Sequence, residues 1–411
     1  MASDPLLKLV FVAPFGIRPK GTVIARMLPL AVELQALGHS VVIVAPPYTN
    51  PEDSGKTEVL RGVRLVNIRL SFAWKPVAAW LMAWRMFCAA LAERPAVVHL
   101  FKPKGYGGVA VMLMLCARRL GLRMPQIMVD TDDWEGRGGM NDLHDYSSLE
   151  KRVFAFQEQW LLPRAAAVTV ASRGLEVMVA ALGVPAGSLF YLPNCVQNTA
   201  PGNGLWVRQK LGIPVESPVV LLYTRFFEFS QEKLHAVFAE LFQRVPAVRF
   251  LVVGKGRNNE EELLFLAARA KGFSRALVMA GWVEPKELPD YLAAGDVAIY
   301  PFADTRINRT KCPAKITELL LAEVAVVADH VGQLAEYVRP GLSGELCDPD
   351  DWLEMASKAA DLLHDPARRK SLAKAGRSRM LADFRWEAQA VSLSRYYRKI
   401  LAGVITGPGG R

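Results

Sequence analysis

An arginine at the carboxyl end of an apolar strand is suited to binding phosphate. The sequence holds one in Tyr223-Thr224-Arg225-Phe226-Phe227-Glu228, directly after Val219–Tyr223. A guanidinium presents paired N–H donors in a fork that matches phosphate oxygens. Lys233, eight residues on, is a second candidate cation. A denser group follows, in which Arg306, Arg309, Lys311 and Lys315 surround the start of a helix opened by Pro313. Helix dipole and fixed charge would both attract a phosphate there. Glu318 sits about one turn inside, where a carboxylate can accept bonds from ribose hydroxyls. The plainer alternatives are a surface ion pair for Arg225, a solvated helix position for Lys233 and an ordinary early-helix acid for Glu318.

Two further segments carry candidate chemistry. Pro14-Phe15-Gly16-Ile17-Arg18-Pro19-Lys20-Gly21-Thr22 joins the first strand to its helix. Gly16 and Gly21 let backbone approach a ligand, and the helix start beyond them offers unpaired N–H groups. The pattern is neither G-x-G-x-x-G nor a P-loop. Asp130-Thr131-Asp132-Asp133-Trp134 contains an Asp-x-Asp pair. Such a pair can hold a divalent ion, orient a sugar or acceptor hydroxyl, or cap the next segment. The hydroxyl-orienting reading makes Asp132 a catalytic candidate, with capping as the open alternative.

Parallel α/β elements must position these loops. Short apolar strands alternate with helical stretches, as in sheets covered on both faces. Strands are expected at Lys8–Ala13, Ser40–Ala45, Arg64–Arg69, Val97–Leu100, Gln126–Asp130, Ala167–Ala171 and Leu189–Leu192. Thr22–Leu37 reads as a helix despite Pro29, ended by Gly38. Pro201-Gly202-Asn203-Gly204 reads as an interdomain linker. A second cycle of strands begins at Val219–Tyr223 and continues at Val248–Val253, Ala276–Ala280, Val297–Tyr300, Val324–Ala328 and Glu345–Leu346. The expected architecture is α/β, with two Rossmann-like domains facing a central cleft. The first spans residues 1–200 and the second spans 201–383. Residues 384–411 form a C-terminal helix packing back on the first domain.

Composition narrows the partners. A net charge of +10 implies acidic ones, yet no run of five cations and no nucleic-acid-binding motif is present, so nucleic acid is not expected. Five scattered cysteines, with no CxxC pair, fit a reducing, cytoplasmic compartment. Phe72–Leu91 carries Trp74, Trp80 and Trp84. Lys75, Pro76 and Arg85 interrupt it, and spanning a bilayer needs roughly 18 apolar residues in succession. The segment is either a buried helix or a peripheral contact with an anionic membrane.

The second half resembles the retaining GT-B glycosyltransferases of glycosyltransferase family 4. The resemblance runs through Gly281-Trp282-Val283, Tyr291-Leu292-Ala293-Ala294-Gly295-Asp296-Val297-Ala298-Ile299-Tyr300-Pro301 and Lys315-Ile316-Thr317-Glu318-Leu319. It continues in Val326-Val327-Ala328-Asp329-His330-Val331-Gly332 and Gly341-Leu342-Ser343-Gly344-Glu345-Leu346. Over the first half it is looser: the Gly16 loop, Leu37-Gly38-His39-Ser40-Val41 and Leu192-Pro193-Asn194-Cys195-Val196. It implies transfer of a sugar from a nucleotide-diphosphate donor with retention of anomeric configuration. Glu318 would bind the donor ribose and Arg225 the diphosphate, with Lys233 and Lys315 nearby, Trp282 and Val283 at the base, and Gly16 by the diphosphate and sugar. The first domain would hold the acceptor, lipid-linked or a saccharide, and the second the donor. No cofactor is implied beyond the donor, and no metal, because Arg225, helix dipoles and backbone N–H groups would already neutralise the leaving group. Thr310 stands where the family often has a second glutamate. A nucleotide-sugar epimerase on the same fold and a non-catalytic glycosyltransferase-like subunit remain open alternatives.

Overall fold

Runs of Val, Leu and Ile that expose neither face to water form most of the strands of the computed structural model. It describes residues 6–18, 21–71 and 73–405. Pro19 and Lys20 of the glycine loop, and Phe72 of the Trp-rich segment, lie outside the described residues. Two units emerge. The first comprises Met1–Asn194, Thr310–Cys312 and Trp386–Arg411, and the second Cys195–Arg309 and Pro313–Arg385.

The first unit is built on eight strands: β1 (Lys8–Val12), β2 (Ser40–Ala45), β3 (Thr57–Leu60), β4 (Val63–Asn67), β5 (Val97–Phe101), β6 (Gln126–Thr131), β7 (Ala167–Val170) and β8 (Leu189–Tyr191). Their order is β3-β4-β2-β1-β5-β6-β7-β8, parallel except for the β3–β4 pair. Strand β3 is absent from the sequence reading. Its Thr-Glu-Val-Leu is half-exposed edge sequence, without the apolar run that marks the buried strands. Helices α1 (Leu28–Ala36), α2 (Lys75–Ala92), α3 (Gly105–Arg119), α4 (Ser148–Leu161) and α5 (Arg173–Ala181) connect the strands. Pro29 is tolerated because a π-helical turn, Val23–Met27, precedes it and places it in the first turn of α1, where its missing N–H costs no bond.

The second unit has six parallel strands, β9 (Val219–Tyr223), β10 (Arg249–Val253), β11 (Leu277–Gly281), β12 (Val297–Tyr300), β13 (Ala325–Asp329) and β14 (Glu345–Cys347). Their order is β11-β10-β9-β12-β13-β14. Helices α6 (Gly204–Lys210), α7 (Gln231–Arg244), α8 (Glu260–Ala270), α9 (Leu288–Ala293), α10 (Arg306–Thr310), α11 (Ala314–Leu321), α12 (Leu334–Tyr337), α13 (Trp352–His364) and α14 (Pro366–Asp383) complete it, with residue 310 of α10 falling in the first unit. The glycines of Pro201–Gly204 serve close packing within this unit. A Cβ on Gly202 would come within 2.3 Å of the Pro289 carbonyl carbon, and one on Gly204 within 2.1 Å of the Ala293 oxygen.

Helix α15 (Trp386–Leu401) belongs to the first unit and packs on α1. A buried polar chain also ties it down. Thr169 gives its only hydroxyl hydrogen to Asp130, so His99 Nε2 must donate to Thr169, at 3.1 Å. His99 Nδ1 then accepts from the Tyr397 hydroxyl at 2.8 Å. Burial, with Arg26 nearby, lowers His99 to about 3 and keeps the ring neutral. At the other end Arg26 holds both oxygens of Asp130, at 2.8 and 2.7 Å. Arg26 and Asp130 are both buried. Replacing Arg26 by Met should therefore cost about 3–5 kcal/mol, because Asp130 is left as an uncompensated buried charge. Arg26→Met with Asp130→Asn should recover part of that loss in chemical denaturation. A single variant as stable as wild type would contradict the assignment.

Candidate active site

In open parallel sheets ligands collect at the carboxyl ends of strands, where the strand order reverses. That point falls between β1 and β5 in one sheet and between β9 and β12 in the other. The Gly16 loop follows β1, and the Arg225 loop follows β9. Each reversal point also carries a residue held in the left-handed region: Lys102 after β5 (φ 60°) and Phe226 beside Arg225 (φ 65°). Non-glycine residues there store backbone strain, typically at functional positions.

In the second unit the Phe226 conformation is pinned. Its N–H donates to Thr224 Oγ1 at 2.7 Å, its carbonyl accepts from Gln231 at 2.9 Å, and its ring is buried. Gly254 presses on the same loop, since a Cβ there would lie 1.9 Å from the Thr224 oxygen. Arg225 is thus presented to solvent from a fixed backbone. Glu318, on α11, is hydrogen-bonded to the Tyr223 hydroxyl, and burial together with this carboxylate raises Tyr223 well above its ordinary value. Lys315 pairs with Glu228 at 3.0 Å and lies 5.9 Å from the centre of the Tyr223 ring. Trp282 and Val283 follow β11, and Trp282 is 61% exposed.

Two other predicted cations are committed elsewhere. Lys233 points its ammonium at both oxygens of Asp329 and at the Pro349 carbonyl, each at 2.7 Å. An ammonium has three hydrogens, so Lys233 has none to spare for a phosphate. Arg309 binds Asp304 in a bidentate pair.

In the first unit Gly16 has a structural reason to be glycine. A Cβ there would lie 1.8 Å from Asn50 Oδ1 and 2.8 Å from Thr49 Oγ1. The acidic segment after β6 caps no helix; the capping box of α4 is Ser147 with Glu150. Its carboxylates meet lysines instead. Lys102 Nζ contacts Asp132 and Asp133 at 2.7 Å and Glu135 at 3.1 Å, and Lys104 contacts Glu135 at 2.7 Å. Burial alone would lower Lys102, but the three carboxylates hold it charged, well above the ordinary lysine value. Burial pushes Asp132 up, yet Lys102 and Arg26 outweigh it and keep Asp132 ionised. Thr22 Oγ1 lies 3.4 Å from the other Asp132 oxygen. Among the described residues no group of three His, Cys, Asp or Glu could hold a metal ion.

A family model described as "Glycosyl transferase 4-like domain" matches residues 21–195, and one described as "Glycosyl transferases group 1" matches residues 217–365. The chain belongs to the group 1 glycosyltransferases. It is 24% identical over 391 residues to a glycogen synthase of Mycobacterium tuberculosis, covering 90% of this chain and 88% of that protein. It is 28% identical over 366 residues to the GDP-mannose-dependent alpha-(1-6)-phosphatidylinositol monomannoside mannosyltransferase of Mycolicibacterium smegmatis, covering 87% and 89%. Among solved structures, sucrose-phosphate synthase from Thermosynechococcus elongatus matches with a TM-score of 0.75 at 19% identity, covering 96% and 100%. The fold of this glycosyltransferase is therefore GT-B, with two parallel-sheet Rossmann-like domains.

Several residues that shape these clusters escaped the sequence reading: Lys102, Lys104, Glu135, Tyr223 and Glu228. Lys102-Pro103-Lys104-Gly105 directly follows the apolar β5, so position alone was a usable signal. Glu135 and Glu158 gave none, because their burial is a tertiary property. In this glycosyltransferase Glu158 is buried beneath the acidic segment and accepts from the Glu135 N–H at 3.0 Å. Burial raises it from the ordinary 4.5 to about 8. Between those values the unfolded chain has lost a proton that the folded chain keeps, so stability falls as pH rises. Glu158→Gln should remove that dependence, which is worth up to about 1.4 kcal/mol per pH unit. Denaturation from pH 5 to 8 should show the variant gaining on wild type throughout. Parallel curves would mean that Glu158 ionises normally.

Proposed function

We propose that this glycosyltransferase moves a sugar from a nucleotide-diphosphate donor to an acceptor with retention of anomeric configuration. The observation that carries the reading is Arg225, held out from a strained, pinned backbone beside the Tyr223–Glu318 hydrogen bond at the β9/β12 reversal point. Glu318 accepts from the donor ribose, Arg225 binds the diphosphate, and the backbone at Trp282 and Val283 meets the base. Lys315, through its pair with Glu228, keeps the Arg225 loop and α11 together. Lys233 is left out of the donor site for the reason given above. The dependence of the Mycolicibacterium smegmatis relative on GDP-mannose supports a nucleotide-sugar donor.

As the anomeric carbon takes on positive character, charge grows on the leaving diphosphate, and Arg225 is preorganised to stabilise it. The acceptor attacks from the face the diphosphate leaves, and its proton passes to the departing phosphate oxygen. The ionised Asp132 orients a substrate hydroxyl beside the Gly16 loop. Protein cations take the place of a metal ion. Wild-type transfer should accordingly persist in EDTA, while Arg225→Ala and Glu318→Ala each lower kcat/KM by about 10²–10³ with an unchanged melting temperature. A strict requirement for added magnesium or manganese, or near-wild-type turnover of either variant at subsaturating donor, would overturn this assignment.

The enzyme works in the cytoplasm, in peripheral contact with an anionic membrane. Its five cysteines are free thiols, which fits a reducing compartment. Helix α2 buries Met82, Ala83, Met86 and Ala90 and turns Val77, Trp80 and Trp84 outward, with Trp80 54% exposed. No helix of the described residues is long and apolar enough to cross a membrane. Sedimentation with anionic liposomes at low salt should weaken in Trp80→Ala/Trp84→Ala, with nucleotide binding retained. Undetectable wild-type sedimentation would remove the membrane from this proposal.

A further inference from the structure

The sheet of the second unit ends differently on its two sides. At one end β14 is buried, Arg368 pairs with its Glu345, and Lys358 donates to the Leu346 carbonyl. At the other end stands β11, Leu277-Val278-Met279-Ala280-Gly281, every residue of it at least partly exposed. An edge strand offers backbone N–H and C=O groups to any chain that can pair with it, and natural edges are blunted by charge or proline. Strand β11 has neither.

Helix α8 is the crossover that joins β10 to β11. Its Leu264 and Ala268 bury in the core with Phe250 and Val252 of β10. Glu262, Phe265, Leu266 and Arg269 recur at i, i+3, i+4 and i+7, which puts them on one face. Phe265 is 44% and Leu266 60% exposed. The Arg269 guanidinium lies 4.9 Å from the centre of the Phe265 ring. Among the described residues neither Glu262 nor Arg269 enters an ion pair. Along the helix this face reads acid, apolar, apolar, cation. Turned end for end, it is its own complement. A partner of uniform charge would match one end and be repelled by the other. A second copy of this chain, antiparallel about a two-fold axis near Phe265 and Leu266, matches both ends. The same axis would set two β11 strands antiparallel, edge to edge.

We infer that α8 and β11 form the interface of a symmetric homodimer of this chain. Glu262 of each copy meets Arg269 of the other, Leu266 packs at the axis, and the two sheets join through β11. Sedimentation of the full chain over a range of concentrations tests it. Wild type should form a dimer in the micromolar range. Arg269→Glu should raise the dimer dissociation constant at least about tenfold, because two ion pairs become two like-charge contacts. Leu266→Asp, which places charge at the axis, should abolish the dimer. Glu262→Arg/Arg269→Glu restores opposite charges at both contacts and should return the constant to within about threefold of wild type. That recovery separates a lost interface from a misfolded helix. Backbone amides of Leu277–Gly281 should exchange more slowly in wild type than in Leu266→Asp. A wild type that stays monomeric overturns the interface, as does a dimer that Leu266→Asp leaves intact. A charge exchange that recovers nothing overturns the antiparallel helix contact, and equal exchange at β11 overturns the strand pairing. None of these measurements needs a donor or an acceptor, so their outcome is independent of the proposed activity.

Discussion

A guanidinium and a carboxylate, both removed from water, organise the first unit. Arg26 comes from the turn that follows the glycine loop, and Asp130 from the end of β6, directly before Thr131 and Asp132. Their pairing fixes the spacing of two ligand-side segments. It extends on one side to the Leu192 carbonyl and the Asn194 side chain, and on the other through Thr169 and His99 to Tyr397 of α15. A buried pair of this kind adds little net stability over an apolar replacement, but loss of one member is costly. Its value here is positional, because it sets where Asp132 can stand.

Among the described residues, two of the six non-glycine residues with left-handed backbone stand where that positioning is needed. Lys102 and Phe226 adopt backbone angles that bulky side chains avoid, and each lies just past a strand flanking a reversal in strand order. The surrounding bonds over-determine both. The Lys102 N–H donates to the Asp130 carbonyl at 3.0 Å while its ammonium gathers three carboxylates. Phe226 is tied at its N–H and its carbonyl while its ring fills the core. Neither segment is free to drift, so Asp132 and Arg225 are presented from rigid supports.

The excess of cations in the chain is a poor guide to which of them can meet a ligand. Lys233, Lys315 and Arg309 are all neutralised by carboxylates of their own unit. The pairing of Lys233 with Asp329 is close enough that the amine is fully occupied, even though burial raises Asp329 to about 6. Arg225, by contrast, is exposed. Net charge reports on long-range attraction, and local pairing decides the site.

The sequence by itself determined the fold class and the order of nearly all the strands. Apolar runs of four to six residues between helical stretches have few ways to bury both faces. It also placed Arg225 in a ligand-side loop, which is defined by its position after a strand, and Glu318 about one turn inside a helix. It could not show that Asp130, Asp132 and Asp133 face Arg26 and Lys102, because a run of acids reads the same whether it meets metal, water or lysine. Nor could it show that Gly16 is pressed against Asn50, that Glu158 is buried, or that the Trp face of α2 is turned outward. Pairing and burial depend on groups far apart in the chain, as when Tyr397 completes the bonding of His99. Only packing brings such partners within hydrogen-bond distance, so only the tertiary structure decided them.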